Sequence, residues 1–161
     1  MEMDARPQVG SKAPDFTLVG TGGKRVGLRD FVGKKNLVLY FYPKDATPGC
    51  TMEACGFRDA YPHFEESDTV ILGVSRDPLA AHETFSSKHR LPFLLLSDPG
   101  AEVCTAYGVF GTKSFLGREF LGIHRTTFVI DSSGTIRGVF PKVKVREHAQ
   151  DVLRFIKSEL A

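Results

Sequence analysis

Three cysteines carry most of the chemical potential of this sequence, and one of them stands in a frame built for a nucleophile. Cys50 and Cys55 fall within Pro43-Lys44-Asp45-Ala46-Thr47-Pro48-Gly49-Cys50-Thr51-Met52-Glu53-Ala54-Cys55, while Cys104 lies far downstream. The run before them, residues 37–42, is apolar without interruption and reads as a buried strand. Pro43 cannot donate to a sheet ladder and ends that strand, and Thr47-Pro48 supplies an N-cap followed by a proline in the first helical turn. Cys50 is thereby delivered to the start of a helix. Unpaired backbone N–H groups and the positive end of the helix dipole favour negative charge there, and the thiolate is the form of cysteine that attacks. Cys104, in the short apolar helical pattern Ala101-Glu102-Val103-Cys104-Thr105-Ala106-Tyr107, is expected to be a packed thiol.

The elements that must position this cysteine can be read from periodicity and punctuation. Residues 16–19 and 25–28 flank a turn-rich segment and predict a hairpin, followed by a helical turn at 28–32. The strand at 37–42, a helix from 48 toward 66 and the apolar run 70–74 make a βαβ unit. A second helix is expected from Pro78 to about Lys88, a strand at 93–96 and a short helix at 102–107. Strands at 126–130 and 135–140, joined by Asp131-Ser132-Ser133-Gly134, predict an antiparallel hairpin, and an amphipathic helix closes the chain at 147–160. The Gly-rich and aromatic stretch 108–122 reads as an irregular surface loop, and Lys142-Val143-Lys144-Val145-Arg146 as a solvated strand edge or loop. The fold class is therefore α/β with a mixed central sheet flanked by helices and an N-terminal hairpin extension. Residues 1–161 form one domain, with 1–8 a flexible tail.

Composition limits what such a domain can do. With 161 residues, 42% of them hydrophobic, the chain supports one real core and not two. Twenty-one basic residues against 19 acidic ones leave a charge of +2, which gives no footprint for nucleic acid. No stretch approaches the roughly 18 apolar residues of a membrane span, so a cytoplasmic protein with no membrane partner is expected. Three cysteines make no secreted disulfide framework and point to a reducing compartment. The histidines, His63, His82, His89, His124 and His148, stand at no metal-ligand spacing and are expected to be ordinary surface or core residues, with His124 beside Arg125 the one to watch.

Pro43, Thr47 and Cys50, separated by three and then two residues, form a pattern that resembles the peroxiredoxin active-site signature. Thr-Pro-Gly-Cys-Thr with a second cysteine at Cys55 resembles the bacterioferritin comigratory protein, or peroxiredoxin Q, branch. Phe57-Arg58-Asp59, Ser97-Asp98, Tyr107-Gly108-Val109 and the segment 125–131 are similar to other recurring parts of that family. The resemblance implies a thioredoxin-like fold and reduction of hydrogen peroxide and organic hydroperoxides with no metal, flavin or other cofactor. It implies that Cys50 is the peroxidatic cysteine and Cys55 the resolving one, joined as a Cys50–Cys55 disulfide that thioredoxin or a glutaredoxin-like dithiol reduces. Pro43, Thr47 and Arg125 complete the catalytic set, with Thr47, Gly49, Cys50 and Arg125 around the peroxide and Glu53 in support. A monomer or a weak dimer is implied as well.

The chemistry asks for such residues. As the O–O bond breaks, charge builds on the departing oxygen, so donors from Thr47, the helix-start backbone and Arg125 are needed there. Pro43 would wall off the sulfur. A sulfenic acid then needs a thiol, and Cys55 is five residues on. Glu53, three residues after Cys50, is placed either to cap the helix or to pair with Arg125. Two other functions compete: a thioredoxin-like disulfide oxidoreductase, which would place two residues between its cysteines rather than four, and a non-enzymatic thiol sensor that passes its oxidation to a partner.

Overall fold

The computed structural model describes residues 6–160. Among the described residues nine strands are formed: β1 (Thr17–Gly20), β2 (Arg25–Gly27), β3 (Asn36–Phe41), β4 (Thr69–Ser75), β5 (Leu94–Ser97), β6 (Phe110–Phe115), β7 (Arg118–Ile123), β8 (Thr126–Ile130) and β9 (Ile136–Phe140). The helices are α1 (Pro48–Glu66), α2 (Leu79–His89), α3 (Glu102–Ala106) and α4 (His148–Glu159), with a 3-10 turn at Leu28–Asp30. Seven strands make one sheet in the order β2-β1-β5-β4-β3-β8-β9. β3 is parallel to β4 and β4 to β5, whereas β8, β9 and the β1–β2 hairpin join antiparallel. This is the mixed sheet, with its N-terminal hairpin at one edge, that the sequence led us to expect.

β3 shows why the sequence folds this way. Its apolar run is unbroken because both faces of the strand are covered. Leu37, Leu39 and Phe41 point into a core completed by α3 and the N-terminal segment. Val38, Tyr40 and Tyr42 point to the other side, against Ala54, Phe57, Ala60 and Phe64 of α1, Phe85 of α2 and Val152, Leu153 and Ile156 of α4. Gly73 faces Tyr40 across the β3–β4 ladder. A Cβ there would come within 2.8 Å of both the Tyr40 ring and Leu95, so the residue must be glycine for the ring to lie flat on the sheet.

One expectation fails. Residues 108–122 are no irregular loop: β6 and β7 pair from Phe110↔Ile123 to Phe115↔Arg118 as a separate two-stranded ribbon. The turn is two residues long, with Leu116 at φ 51° and Gly117 at φ 77°, the pair of positive angles that a right-twisted hairpin requires. Most of the ribbon is exposed on both faces, so it carries no alternation for a pattern to detect. Of the expected N-terminal tail, residues 1–5 lie outside the described residues. Residues 6–8 line an open cleft together with Val139 and Pro141. The segment 142–146 is loop. Among the described residues no helix is long and apolar enough to cross a membrane.

Candidate active site

The site forms where β3 ends and α1 begins. Thr47 occupies the N-cap with extended backbone (φ −81°, ψ 153°) and Pro48 the first helical position, as expected. Its hydroxyl, however, does not cap the helix. Thr47 Oγ1 donates to the Lys44 carbonyl at 2.9 Å, which tightens the loop and leaves the hydroxyl oxygen as an acceptor in this arrangement. The first intrahelical bond is donated by Thr51 to the Thr47 carbonyl at 2.9 Å, so the N–H groups of Gly49 and Cys50 precede the helical ladder and are free to serve an anion. Pro43 lies half-buried just past the strand.

The loop between them is nailed down from below. Asp45 donates its backbone N–H to Asp77 Oδ2 at 2.8 Å, and its buried carboxyl group accepts from Tyr42 Oη at 2.5 Å and lies 2.6 Å from His82 Nδ1. His82 Nε2 faces the Leu96 carbonyl at 2.9 Å. A carbonyl only accepts, so Nε2 is the donor there, and the ring is held between the Leu96 carbonyl and the Asp45 carboxyl group. Asp45, Asp77 and His82 also offer ligand atoms within 4.8 Å of one another, but those of Asp45 and His82 are spent on the bonds just described. His82 is thus a core histidine, within the surface-or-core reading, and a positioning device as well.

Cys50 is buried, and Arg125 reaches it from the residue just before β8, the strand next to β3. β8 runs antiparallel to β3 with Thr126 opposite Phe41, which puts Arg125 level with the end of β3. Arg125 Nη2 donates to Cys50 Sγ at 3.3 Å and Nη1 donates to Glu53 Oε1 at 2.6 Å. Glu53 shares a helix face with Cys50 because the two are three residues apart. Of the two roles expected for Glu53, pairing with Arg125 is the one taken. A Cβ at Gly49 would lie 3.3 Å from Arg125 Nη2, so the guanidinium lies directly against the helix start. The structure therefore brings Gly49, Cys50, Glu53 and Arg125 together at the end of β3 beside Pro43 and Thr47.

Glu53 is the electrostatic oddity of the site. Burial pushes its carboxyl up from 4.5 to about 7, against the downward pull of Arg125. Its second oxygen, Oε2, is buried with no hydrogen-bond partner, and His148 Nε2 stands 3.8 Å away. That imidazole nitrogen lies instead 2.7 Å from Thr127 Oγ1, and burial lowers His148 to about 4, so it is neutral at pH 7. Sequence reasoning missed His148. It also missed Lys113 of β6, whose ammonium is lowered by burial and by the Arg125 charge and feels Cys50 in the opposite sense, which places the ribbon at the rim of the site. His124 is exposed and packs toward Gly111 of that ribbon.

The other two cysteines separate cleanly. Cys55 is half-buried about one and a half turns beyond Cys50 on α1, with its Sγ 3.8 Å from His89 Nδ1. Cys104 is fully buried in the core on the opposite face of the sheet from Cys50, and burial together with Asp98 pushes its thiol far up, which makes it the inert packed thiol expected. An arrangement of a buried sulfur, backbone donors and a cation shared with a carboxylate can hold a thiolate and stabilise charge leaving on oxygen.

Comparison with known proteins is consistent with this chemistry. Residues 9–139 match the AhpC/TSA family. The chain is 51% identical over 146 residues to a putative peroxiredoxin bcp of Coxiella burnetii, covering 91% of this chain and 96% of that protein. It is 48% identical over 150 residues to peroxiredoxin Bcp of Bacillus subtilis, covering 93% and 95%. A solved Xanthomonas campestris bacterioferritin comigratory protein, described through its alkyl peroxide reduction activity in a trapped intermediate/ligand complex, aligns with a TM-score of 0.84 at 40% identity, covering 89% of this chain and 90% of that one.

Proposed function

Because the chain belongs to the AhpC/TSA family and is a thiol peroxidase of the peroxiredoxin Bcp and peroxiredoxin Q kind, we propose that it reduces hydrogen peroxide and alkyl hydroperoxides through Cys50 and Cys55. The Cys50 thiolate attacks one peroxide oxygen, an S–O bond forms and the O–O bond breaks. The departing oxygen leaves with the bonding pair and takes a proton, and Cys50 becomes a sulfenic acid. Arg125 and the Gly49 and Cys50 N–H groups stabilise the charge that moves from sulfur to oxygen. Thr47, its own proton engaged by Lys44, accepts from the peroxide hydroxyl. Cys55 then attacks the Cys50 sulfur, water is released, and a dithiol protein such as thioredoxin or a glutaredoxin-like donor reduces the resulting disulfide. The three unpaired cysteines suit a reducing, cytoplasmic setting, and a monomer or weak dimer suffices for a site built from one chain.

The observation that carries this reading is the 3.3 Å contact of Arg125 with a buried Cys50 in the first turn of α1. Intact mass after one equivalent of hydrogen peroxide tests it. The parent loses about 2 Da, Cys55→Ser gains about 16 Da and Cys50→Ser is unchanged. A Cys55→Ser variant that still forms an intramolecular disulfide at the parent's rate makes Cys104 the resolver and overturns the pairing.

A further inference from the structure

Resolution requires Cys55 to lose a proton, since only the thiolate attacks sulfur. Arg125 and the helix start serve Cys50, and that machinery lies on another face of α1. What Cys55 does have is His89. The last residue of α2 sets its Nδ1 3.8 Å from Cys55 Sγ, within hydrogen-bonding reach for sulfur. The ring is held in that pose. Phe85, one turn earlier on α2, meets it edge-on at 4.8 Å between centroids. The His89 carbonyl accepts from Arg58 Nη1 at 2.9 Å, which ties the end of α2 to the α1 turn that carries Cys55. Arg90 follows in the left-handed region (φ 51°, ψ 51°), so α2 stops at this residue and the imidazole stands at its end. A histidine placed by two contacts at a helix end and aimed at a half-buried thiol is more than core filling.

We propose that His89 is the base that takes the Cys55 proton for the resolving step. The inference rests on the reading of Cys55 as the resolving cysteine. The S–H proton of Cys55 passes to His89 Nδ1 while α1 is wound, the start of α1 then opens, the thiolate attacks the Cys50 sulfur, the S–S bond forms and the S–O bond breaks. The hydroxide released takes a proton and leaves as water, so thiol and sulfenic acid give disulfide and water with no further oxidant or reductant. The charged groups around the pair are Arg58 and Asp59 on α1, bonded to each other at 2.9 Å, and Lys88 and Arg90 on either side of His89. The Cys55 and Arg58 charges feel one another, so the guanidinium shelters the thiolate once it forms. His89 is itself only half-buried and can pass the proton to water.

Rapid-quench intact mass of the full chain separates the two steps. His89→Gln and His89→Ala are expected to form the species about 16 Da heavier at the parent's rate, which also shows that the Cys50 site is folded. Loss of that species to the disulfide is expected to slow about tenfold to a hundredfold at pH 7. Between pH 6 and 8 the rate in the variants should rise with pH more steeply than in the parent, and added imidazole should restore part of it in His89→Ala. Disulfide formation at the parent's rate in both variants overturns the proposal. So does slowing that is uniform across pH and unmoved by imidazole, because that marks a residue that only positions. An intramolecular disulfide in Cys55→Ser is a different failure: it removes Cys55 as resolver whatever the His89 variants do.

Discussion

Oxidation to the Cys50–Cys55 disulfide should open the first two turns of α1 and leave the rest of the helix in place. Five residues of ideal helix rise about 7.5 Å and leave the two Cα atoms about 140° apart around the axis, a separation of about 8.7 Å. A disulfide closes over roughly 4.4–6.8 Å between Cα atoms with Cβ atoms facing. In the reduced protein α1 is continuous from Pro48 to Glu66, with Cys50 turned to Arg125 and Cys55 to His89. No change of rotamer closes that gap. Phe57 decides where the opening stops. It is fully buried, 4.8 Å from the Tyr40 ring, 5.9 Å from Phe64 and 5.5 Å from His148. Extracting it would forfeit about 1.5–3 kcal/mol, which opening as far as residue 56 does not require.

The magnitude follows from the bonds lost. If residues 48–56 leave the helix, the amides of 51–56 lose their acceptors and those of 57–59 become the unpaired first turn of a shortened helix. Roughly nine amides are freed. Hydrogen exchange read by mass spectrometry, on reduced protein and on protein oxidised by one equivalent of peroxide, should show that many extra deuterons in peptides covering 48–60. Peptides covering 61–66 should not change. Equal protection of 51–56 in the two states would refute the geometric argument, and exposure running through Phe64 would refute the anchoring role of Phe57.

Arg125→Met should slow sulfenic acid formation about a hundredfold to a thousandfold while leaving secondary structure intact, measured by competition for hydrogen peroxide; a loss below threefold would contradict the 3.3 Å contact as the stabilising one. Glu53→Gln keeps an acceptor for Arg125 but cannot titrate, so the inflection near pH 7 expected in the parent's peroxide rate should vanish. The same variant carries a stability signature. A carboxyl raised from 4.5 to about 7 on folding binds its proton more tightly in the native state, so the stability it contributes is full below about 4.5 and is lost as pH rises through 7. Denaturant titrations across that window should slope downward in the parent and less so in Glu53→Gln. Gly56→Ala should stabilise reduced α1 by about 0.5–1 kcal/mol and slow disulfide formation, since a Cβ there would meet only Ala149 Cβ at an ordinary 3.5 Å.

What could be read from the sequence was what local pattern encodes. The buried run at 37–42, Pro43, and Thr47-Pro48 ahead of Cys50 act over a few residues, and their elements stand within a residue or two of expectation. The β6–β7 ribbon escaped because both its faces meet solvent and because Leu116, rather than the customary Asn or Asp, takes the first positive φ of its turn. The histidines escaped for another reason. His82 meets Asp45 across 37 positions, His89 meets Cys55 across 34 and His148 meets Thr127 across 21, and no spacing rule reaches so far. Arg125 lies 75 positions from Cys50 and was legible only through the family resemblance. The hydroxyl of Thr47 was misjudged because N-cap geometry fixes the backbone and leaves the side chain a choice of partner.

In the proposed cycle the two half-reactions make opposite demands on the same nine or so residues, and the structure holds features that would meet both. Attack on peroxide needs α1 wound, because winding puts Cys50 at the helix start and Glu53 on its face so that one guanidinium serves both. Resolution needs that turn undone. Glu53 Oε2, buried without a partner, leaves a desolvated oxygen in the wound state, a penalty of about 1–3 kcal/mol that opening relieves by exposing it to water. Gly49 and Gly56 each weaken the helix by about 0.5–1 kcal/mol relative to alanine. Gly49 is held by the approach of Arg125, whereas at Gly56 packing leaves room for a methyl group, so its weakness serves no steric need. It lies one residue before the Phe57 anchor, at the boundary where the opening must stop. In that cycle the first two turns of α1 would form the peroxide site while wound and surrender it once Cys50 is oxidised.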